Sequence, residues 1–437
     1  MFKYKNVLIY GYSISGKAVE RVLIDLDVNY KIYDDNMRLG GGKYLFNLKK
    51  SELLNFDLIV LSPGVSIFNK HVKFAESAGI RVISELEFGY LMCPYPIIAI
   101  TGTNGKTTVT KMLEHVLNLS GLNVKALGNV GEPLTQVVNY KKLDFVVCEV
   151  SSFQLEATYK FKPYIGVLLN IDSDHLDRHK TFENYVNLKI DMFKNCNAEN
   201  HAIINADSTI LNNFKNSLVN KVVLNQNCKL EKDNIMFGKE KVCKLTDLSF
   251  NTYLDNILSV VAVLKIVGVE NEKIVMGINT FKNLNHRLEF VDKINGISFY
   301  NDSKATNPHA TLGAVKQLKN ENNITLLLGG KDKNLDFESL INKLPNNITK
   351  IVAFGESRKK INKFSKLKIE TIMCSNLKTA VLTAFKQTKS GGVVLLSPAC
   401  ASFDEFSSYA ERGTFFKNVV GELKVLNYST SANGEVC

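Results

Sequence analysis

Two glycines, a lysine and several hydroxyls stand together in Thr101-Gly102-Thr103-Asn104-Gly105-Lys106-Thr107-Thr108. The set suits one kind of chemistry. Loop amides and the positive end of a helix dipole both favour an anion at such a turn. The Lys106 ammonium would reach outer phosphates, and the Thr107 hydroxyl suits Mg2+. A nucleoside triphosphate site is therefore expected across residues 102–108. The generic phosphate-loop pattern has a glycine five residues before the Gly-Lys pair, where Ile100 stands here. A chance Gly-Lys-Thr in a helix cap is the plain alternative. The apolar run before the loop and the helical pattern after it argue against that alternative.

Other polar residues cluster where runs of apolar residues end. Glu149 closes Phe145-Val146-Val147-Cys148 and precedes Ser151-Ser152-Phe153-Gln154. It reads either as a metal-coordinating carboxylate or as an acid favoured at a helix start. In Asp172-Ser173-Asp174-His175-Leu176-Asp177-Arg178-His179, His175 is a metal-ligand candidate, set against a surface histidine among capping aspartates. Lys189, in Tyr185-Val186-Asn187-Leu188-Lys189, reads on sequence alone as a solvated helix residue. Further on, Asn301-Asp302-Ser303-Lys304-Ala305-Thr306-Asn307, Lys331-Asp332-Lys333 and Ser397-Pro398-Ala399-Cys400-Ala401-Ser402-Phe403 each follow a strand pattern. Each alone could be a well-capped turn, but three polar turns at strand ends in one segment favour a site.

The elements that must hold these residues alternate between strand and helix. Val7 to Tyr10 leads into Gly11-Tyr12-Ser13-Ile14-Ser15-Gly16, a helical stretch and a second strand ending in Asp34-Asp35. This βαβ unit has a first turn able to hold a diphosphate, although Ser13 replaces a glycine of the dinucleotide fingerprint. The proline pair in Cys93-Pro94-Tyr95-Pro96 suits a linker. Helical Leu254 to Val267 follows a polar, irregular stretch over 210–250, and a third segment opens near Arg287. The expectation is an α/β protein of three domains: Rossmann-like 1–94, a P-loop ATPase-like, mainly parallel 95–286, and Rossmann-like 287–437.

The chain has 437 residues, 45% of them hydrophobic and 22% charged, which fits a soluble globular protein. No apolar run approaches the ~18 residues of a membrane helix, and the apolar start is too short for a signal peptide. The eight cysteines contain no Cys-x-x-Cys pair, so neither a disulfide framework nor a zinc site is expected. The net charge of +11 comes mainly from dispersed lysines. No nucleic-acid partner is expected. A cytoplasmic monomer is the expected state.

Taken in order, Thr101–Thr107, Glu149–Glu156, Asp174–Arg178, Asn285-His286-Arg287, Asn301–Asn307 and Ser397–Phe403 resemble the motifs of the Mur ligases, across all three segments. The Ser-Ser-Phe-Gln and Ser-Pro-Ala-Cys-Ala-Ser blocks are similar to those of the branch that joins D-glutamate to UDP-N-acetylmuramoyl-L-alanine. That resemblance implies an ATP-dependent ligase of peptidoglycan precursor synthesis, working through an acyl phosphate with two Mg2+ ions. It implies Lys106, Glu149, His175 and Lys189 as catalytic, with Thr107, Glu149, His175 and a CO2-derived carbamate on Lys189 as metal ligands. ATP would also meet Asn256, Arg287 and Asp302. The UDP-linked substrate would meet Ile14, Ser15, Asp34, Asp35, Asn129, Ser151 and Gln154. D-glutamate would meet Lys304, Thr306, Lys333, Ser402 and Phe403. Another Mur or folylpolyglutamate-type amide ligase is the near alternative, and a P-loop ATPase switch the remote one.

Overall fold

Runs such as Leu58-Ile59-Val60-Leu61 and Ile97-Ile98-Ala99-Ile100 are apolar on both strand faces, the pattern of parallel strands covered on both sides by helices. The computed structural model describes residues 3–37, 41–250, 252–282, 284–332 and 335–432. It places these runs in parallel sheets. β1 (Asn6–Tyr10), β2 (Asn29–Tyr33), β3 (Leu58–Leu61) and β4 (Arg81–Ser84) form a parallel sheet in the order β2-β1-β3-β4.

The second sheet holds β5 (Ile97–Thr101), β6 (Val124–Gly128), β7 (Phe145–Glu149), β8 (Ile165–Leu168), β9 (His201–Ile204) and β10 (Asn220–Val223). All its pairs are parallel, in the order β10-β9-β8-β5-β7-β6. Alternate side chains of β5 feed two separate cores. Ile98 and Ile100 pack with Val109, Leu113, Ile257 and Val261, while Ile97 and Ala99 pack with Leu127, Val146 and Phe193. The stretch 210–250 contains a small antiparallel sheet of β11 (Cys228–Glu231), β12 (Asn234–Phe237) and β13 (Glu240–Lys244).

The last sheet joins β14 (Glu289–Ile294), β15 (Ile297–Asn301), β16 (Ile324–Gly329), β17 (Ile348–Phe354), β18 (Glu370–Met373) and β19 (Val393–Ala399). Its order is β14-β15-β19-β16-β17-β18, antiparallel only at the β14–β15 edge. The chain divides into two compact units, Met1–Phe250 with Leu254–Phe281, and Asn251–Tyr253 with Lys282–Cys437. No helix among the described residues is long and apolar enough to cross a membrane.

Candidate active site

The loop after β5 enters the helix Lys106–Leu119 through Gly105, whose φ is +87°. A Cβ there would lie 2.4 Å from the Asn256 Oδ1, so Asn256 packs on the loop's backbone. Side chains after β8 fix the rest. The Asn104 N–H donates to Asn170 Oδ1 at 2.8 Å, and the Asn170 amide donates back to the Asn104 carbonyl at 3.1 Å. The Thr103 hydroxyl accepts from the Asp172 N–H at 2.9 Å and lies 3.0 Å from the Tyr185 hydroxyl. Lys106 folds back onto the Gly102 and Thr103 carbonyls at 2.8 and 3.0 Å. Thr107 and Thr108 follow in the first helical turn, half-buried.

Glu149 ends β7 in the neighbouring strand position, and it does not start a helix. It is 2% exposed; Asn129 donates to its Oε1 at 2.7 Å, and its buried Oε2 has no hydrogen-bond partner. Such an oxygen suits a hard cation better than an apolar wall. Among the described residues no group of three or more His, Cys, Asp or Glu side chains gathers in a cluster able to hold a metal.

Lys189 corrects the reading from sequence alone. Its side chain is buried, 1% exposed, on the helix Phe182–Ile190. The ammonium donates to the Gly102 carbonyl at 2.9 Å, beneath the phosphate loop. Burial, reinforced by the nearby Lys106 charge, pushes its pKa well below the ordinary lysine value. His175 stands in a left-handed conformation (φ +55°) at the start of the turn Leu176–His179, half-buried, its ring 4.7 Å from that of Phe153.

The second candidate region lies at the ends of β1, β2 and β3. A cleft of about 590 Å³ is lined by residues 11–15, 34–36, 62–66 and Asn69. Ile14 and Ser15 face it, with Ile14 67% exposed. Asp34 lines it as well, but its oxygens already accept the Tyr12, Asn36 and Met37 amides. Asp35 accepts from the Tyr10 hydroxyl at 2.9 Å. Ser151 and Gln154 form a capping box at the helix Ser152–Leu155, beyond β7.

In the other unit, Asp302 follows β15 and is buried. The Ser397 hydroxyl donates to it at 2.7 Å and the Leu288 N–H at 3.2 Å. Burial nevertheless raises its carboxyl pKa to about 7. Arg287 lies near enough to oppose that rise. Lys304 sits 3.8 Å over the Tyr409 ring, Thr306 is half-buried, Ser402 is buried and Phe403 is exposed. Lys333 lies outside the described residues.

Sequence reasoning passed over two arginines. Arg412 is wholly buried and donates to the Ser303 hydroxyl and carbonyl at 2.9 and 2.8 Å. Arg178 pairs with Glu156 and reaches two carbonyls of the β3 loop. Its place three residues after His175 was the available signal.

Comparison with known proteins shows the family. Residues 100–271 match the family description "Mur ligase middle domain", and residues 286–400 match "Mur ligase, glutamate ligase domain". The chain belongs to the Mur ligase family. Its curated relatives narrow the branch. The UDP-N-acetylmuramoylalanine--D-glutamate ligase of Caldanaerobacter subterraneus subsp. tengcongensis is 37% identical over 448 residues, covering 97% of this chain and 99% of the relative. The protein of that name from Listeria monocytogenes is 35% identical over 447 residues, covering 97% and 98%. Among solved structures, the MurF ligase from Thermotoga maritima in complex with ADP aligns with a TM-score of 0.62 at 16% identity, covering 96% of each chain. At that identity the likeness shows the fold.

Proposed function

We propose that this chain joins D-glutamate to UDP-N-acetylmuramoyl-L-alanine, driven by ATP, in peptidoglycan precursor synthesis. The observation that carries this is near-full-length identity of 37% to ligases of that name. In the proposed reaction the terminal carboxylate of the UDP-linked substrate takes the γ-phosphoryl group of ATP. The amine of D-glutamate then attacks the acyl phosphate, and phosphate leaves. Splitting the step makes a poor electrophile reactive.

The residues carry roles in this reading as follows. The amides of residues 102–108 hold the triphosphate, and Lys106 swings from the loop carbonyls to the outer phosphates. Asn256, Arg287 and Asp302 complete the ATP contacts. Thr107 and Glu149 would hold one Mg2+, for which the orphaned Glu149 Oε2 is a fitting ligand. His175 and Lys189 would hold a second. Bound Mg2+ supplies charge neutralisation to the phosphoryl group in transfer. A lysine amine is a poor partner for so hard a cation, whereas a carbamate formed with CO2 would offer an oxygen anion. The buried position of Lys189 favours the neutral amine that such an addition requires.

The cleft at residues 11–15 and 34–36 takes the uridine part, with Ile14, Ser15, Asp34 and Asp35 at its walls. Asn129, Ser151 and Gln154 meet the remainder of that substrate. Lys304, Thr306, Lys333, Ser402 and Phe403 receive D-glutamate, the lysines pairing with its carboxylates. We further propose three domains, 1–94, 95–286 and 287–437, in a cytoplasmic monomer. A substrate panel tests the reading: phosphate release should need UDP-N-acetylmuramoyl-L-alanine and D-glutamate together. Equal turnover with L-glutamate or meso-diaminopimelate would overturn it.

A further inference from the structure

The loop Ser62-Pro63-Gly64-Val65-Ser66 forms one wall of the cleft, and a turn bond from the Val65 N–H to the Ser62 carbonyl and a bond from the Ser62 hydroxyl to the Gly11 carbonyl hold its start. One guanidinium takes the two carbonyls in its middle. Arg178 donates from Nη1 to the Pro63 carbonyl at 2.8 Å and from Nη2 to the Val65 carbonyl at 2.9 Å. The same group meets Glu156 through two parallel bonds, Nε to Oε1 at 2.9 Å and Nη2 to Oε2 at 2.5 Å. Its flat face lies 4.3 Å from the centre of the Phe153 ring. Glu156 is 2% exposed and Arg178 12%, so water does little to weaken the pair.

Only a planar fork can make these bonds at once. A lysine ammonium in the same place could serve one or two. The geometry has a consequence for the cleft. In a trans peptide the C=O and the following N–H point opposite ways. Fixing the Pro63 and Val65 carbonyls on Arg178 therefore turns the Gly64 and Ser66 amides away from it, and both of these residues line the cleft. We propose that Arg178, anchored by Glu156, is a positioning residue that holds two backbone donors in place for the nucleotide end of the UDP-linked substrate. Because Arg178 shares the short turn that begins at His175, it also ties that cleft wall to the proposed metal loop. The proposal rests on the functional reading above.

The test compares wild type with R178M, R178K and E156Q in the full-length chain, using UDP itself as the calorimetric probe. R178M should weaken UDP binding and raise KM for UDP-N-acetylmuramoyl-L-alanine about tenfold or more, with KM for ATP held within about twofold. R178K should recover part of the loss. UDP affinity within about twofold of wild type in folded R178M would overturn the clamp. If R178M does not fold, R178K and E156Q are judged by the same ratio. Hydrogen exchange over residues 62–66 provides a readout independent of the ligand. Should wild type itself ignore UDP, the functional reading fails, and the clamp stands if the variants exchange faster there and falls if they do not.

Discussion

The two strand–glycine–helix turns of the first compact unit start from similar sequences and end differently. The loop after β5 is closed: Asn170, Asn256 and Lys189 bind or abut its backbone, Asp172 and Tyr185 meet its Thr103 hydroxyl, and Lys106 folds onto its carbonyls. The turn after β1 is open, with about 590 Å³ of cleft before it and an exposed Ile14 at its rim. A turn that handles a transferring phosphoryl group benefits from fixed dipoles and little water. A turn that recognises a large nucleotide-sugar must leave room for it. On the proposed reading, the same local chemistry serves reaction in one case and recognition in the other according to what packs against it.

The largest test of the closed loop is Lys189. Removing it in Lys189→Ala should lower turnover by about 10^3-fold, the scale of losing a key electrostatic group. Added short carboxylic acids should restore part of the rate by filling the space with an oxygen anion. Unimpaired turnover would return Lys189 to a passive role. Stability should move the other way in Lys189→Met. A lysine pKa depressed by burial contributes stability only above its unfolded value near 10.5, and that contribution is lost as pH falls. At neutral pH the buried amine is therefore a cost. The Gly102 carbonyl would still accept from Lys106. In CO2-free, nucleotide-free buffer the Met variant should melt higher than wild type.

Paired glycine variants test whether the two turns are separate in function. Gly105→Ala would place a Cβ at φ +87° and 2.4 Å from Asn256 Oδ1. Gly11→Ala would place one at φ +91° and 2.8 Å from the Ser62 Cβ. Left-handed backbone alone costs an alanine about 1–2 kcal/mol. The first should reduce kcat/KM for ATP by about 10^2-fold, and the second should raise KM for the UDP-linked substrate about tenfold. If both variants disturb the same substrate, the division between reaction and recognition fails.

Much of this contrast was legible in the sequence, for a physical reason. Parallel βα turns are local: a buried strand, a glycine and a helix start lie within about a dozen residues, so residues 97–119 announced their own geometry. Glu149 was ambiguous until the structure showed it at a strand end with an orphaned oxygen. Long-range burial was not legible. Lys189 looked solvated because its partner, the Gly102 carbonyl, lies far away in sequence, and only the resemblance pointed to it. The role proposed for Asp34 came from the resemblance alone; not legible was that its carboxylate accepts three nearby backbone amides. Arg178 stood within a quoted motif, but its role was not legible because both carbonyls it holds lie more than a hundred residues away, in the loop after β3.

The smallest expected effect asks whether a closed turn in the other unit carries a similar cost. Asp302 is buried between the Ser397 hydroxyl and the Leu288 amide, and its pKa rises from 3.8 to about 7, chiefly through burial. For a raised carboxyl the sign is fixed. Its stabilising contribution is whole below the unfolded value and is lost as pH climbs through about 7. At 1.36 kcal/mol per unit this net rise, with the opposing effect of the neighbouring donors already in it, sets a ceiling of about 4 kcal/mol. Asp302→Asn preserves the shape and removes the titration. In nucleotide-free protein, the melting midpoint of the Asn variant relative to wild type should therefore rise by several degrees between pH 4 and 8. A difference that stays flat across that range would mean Asp302 is ionised in the folded protein, and this closed turn would then carry no such cost.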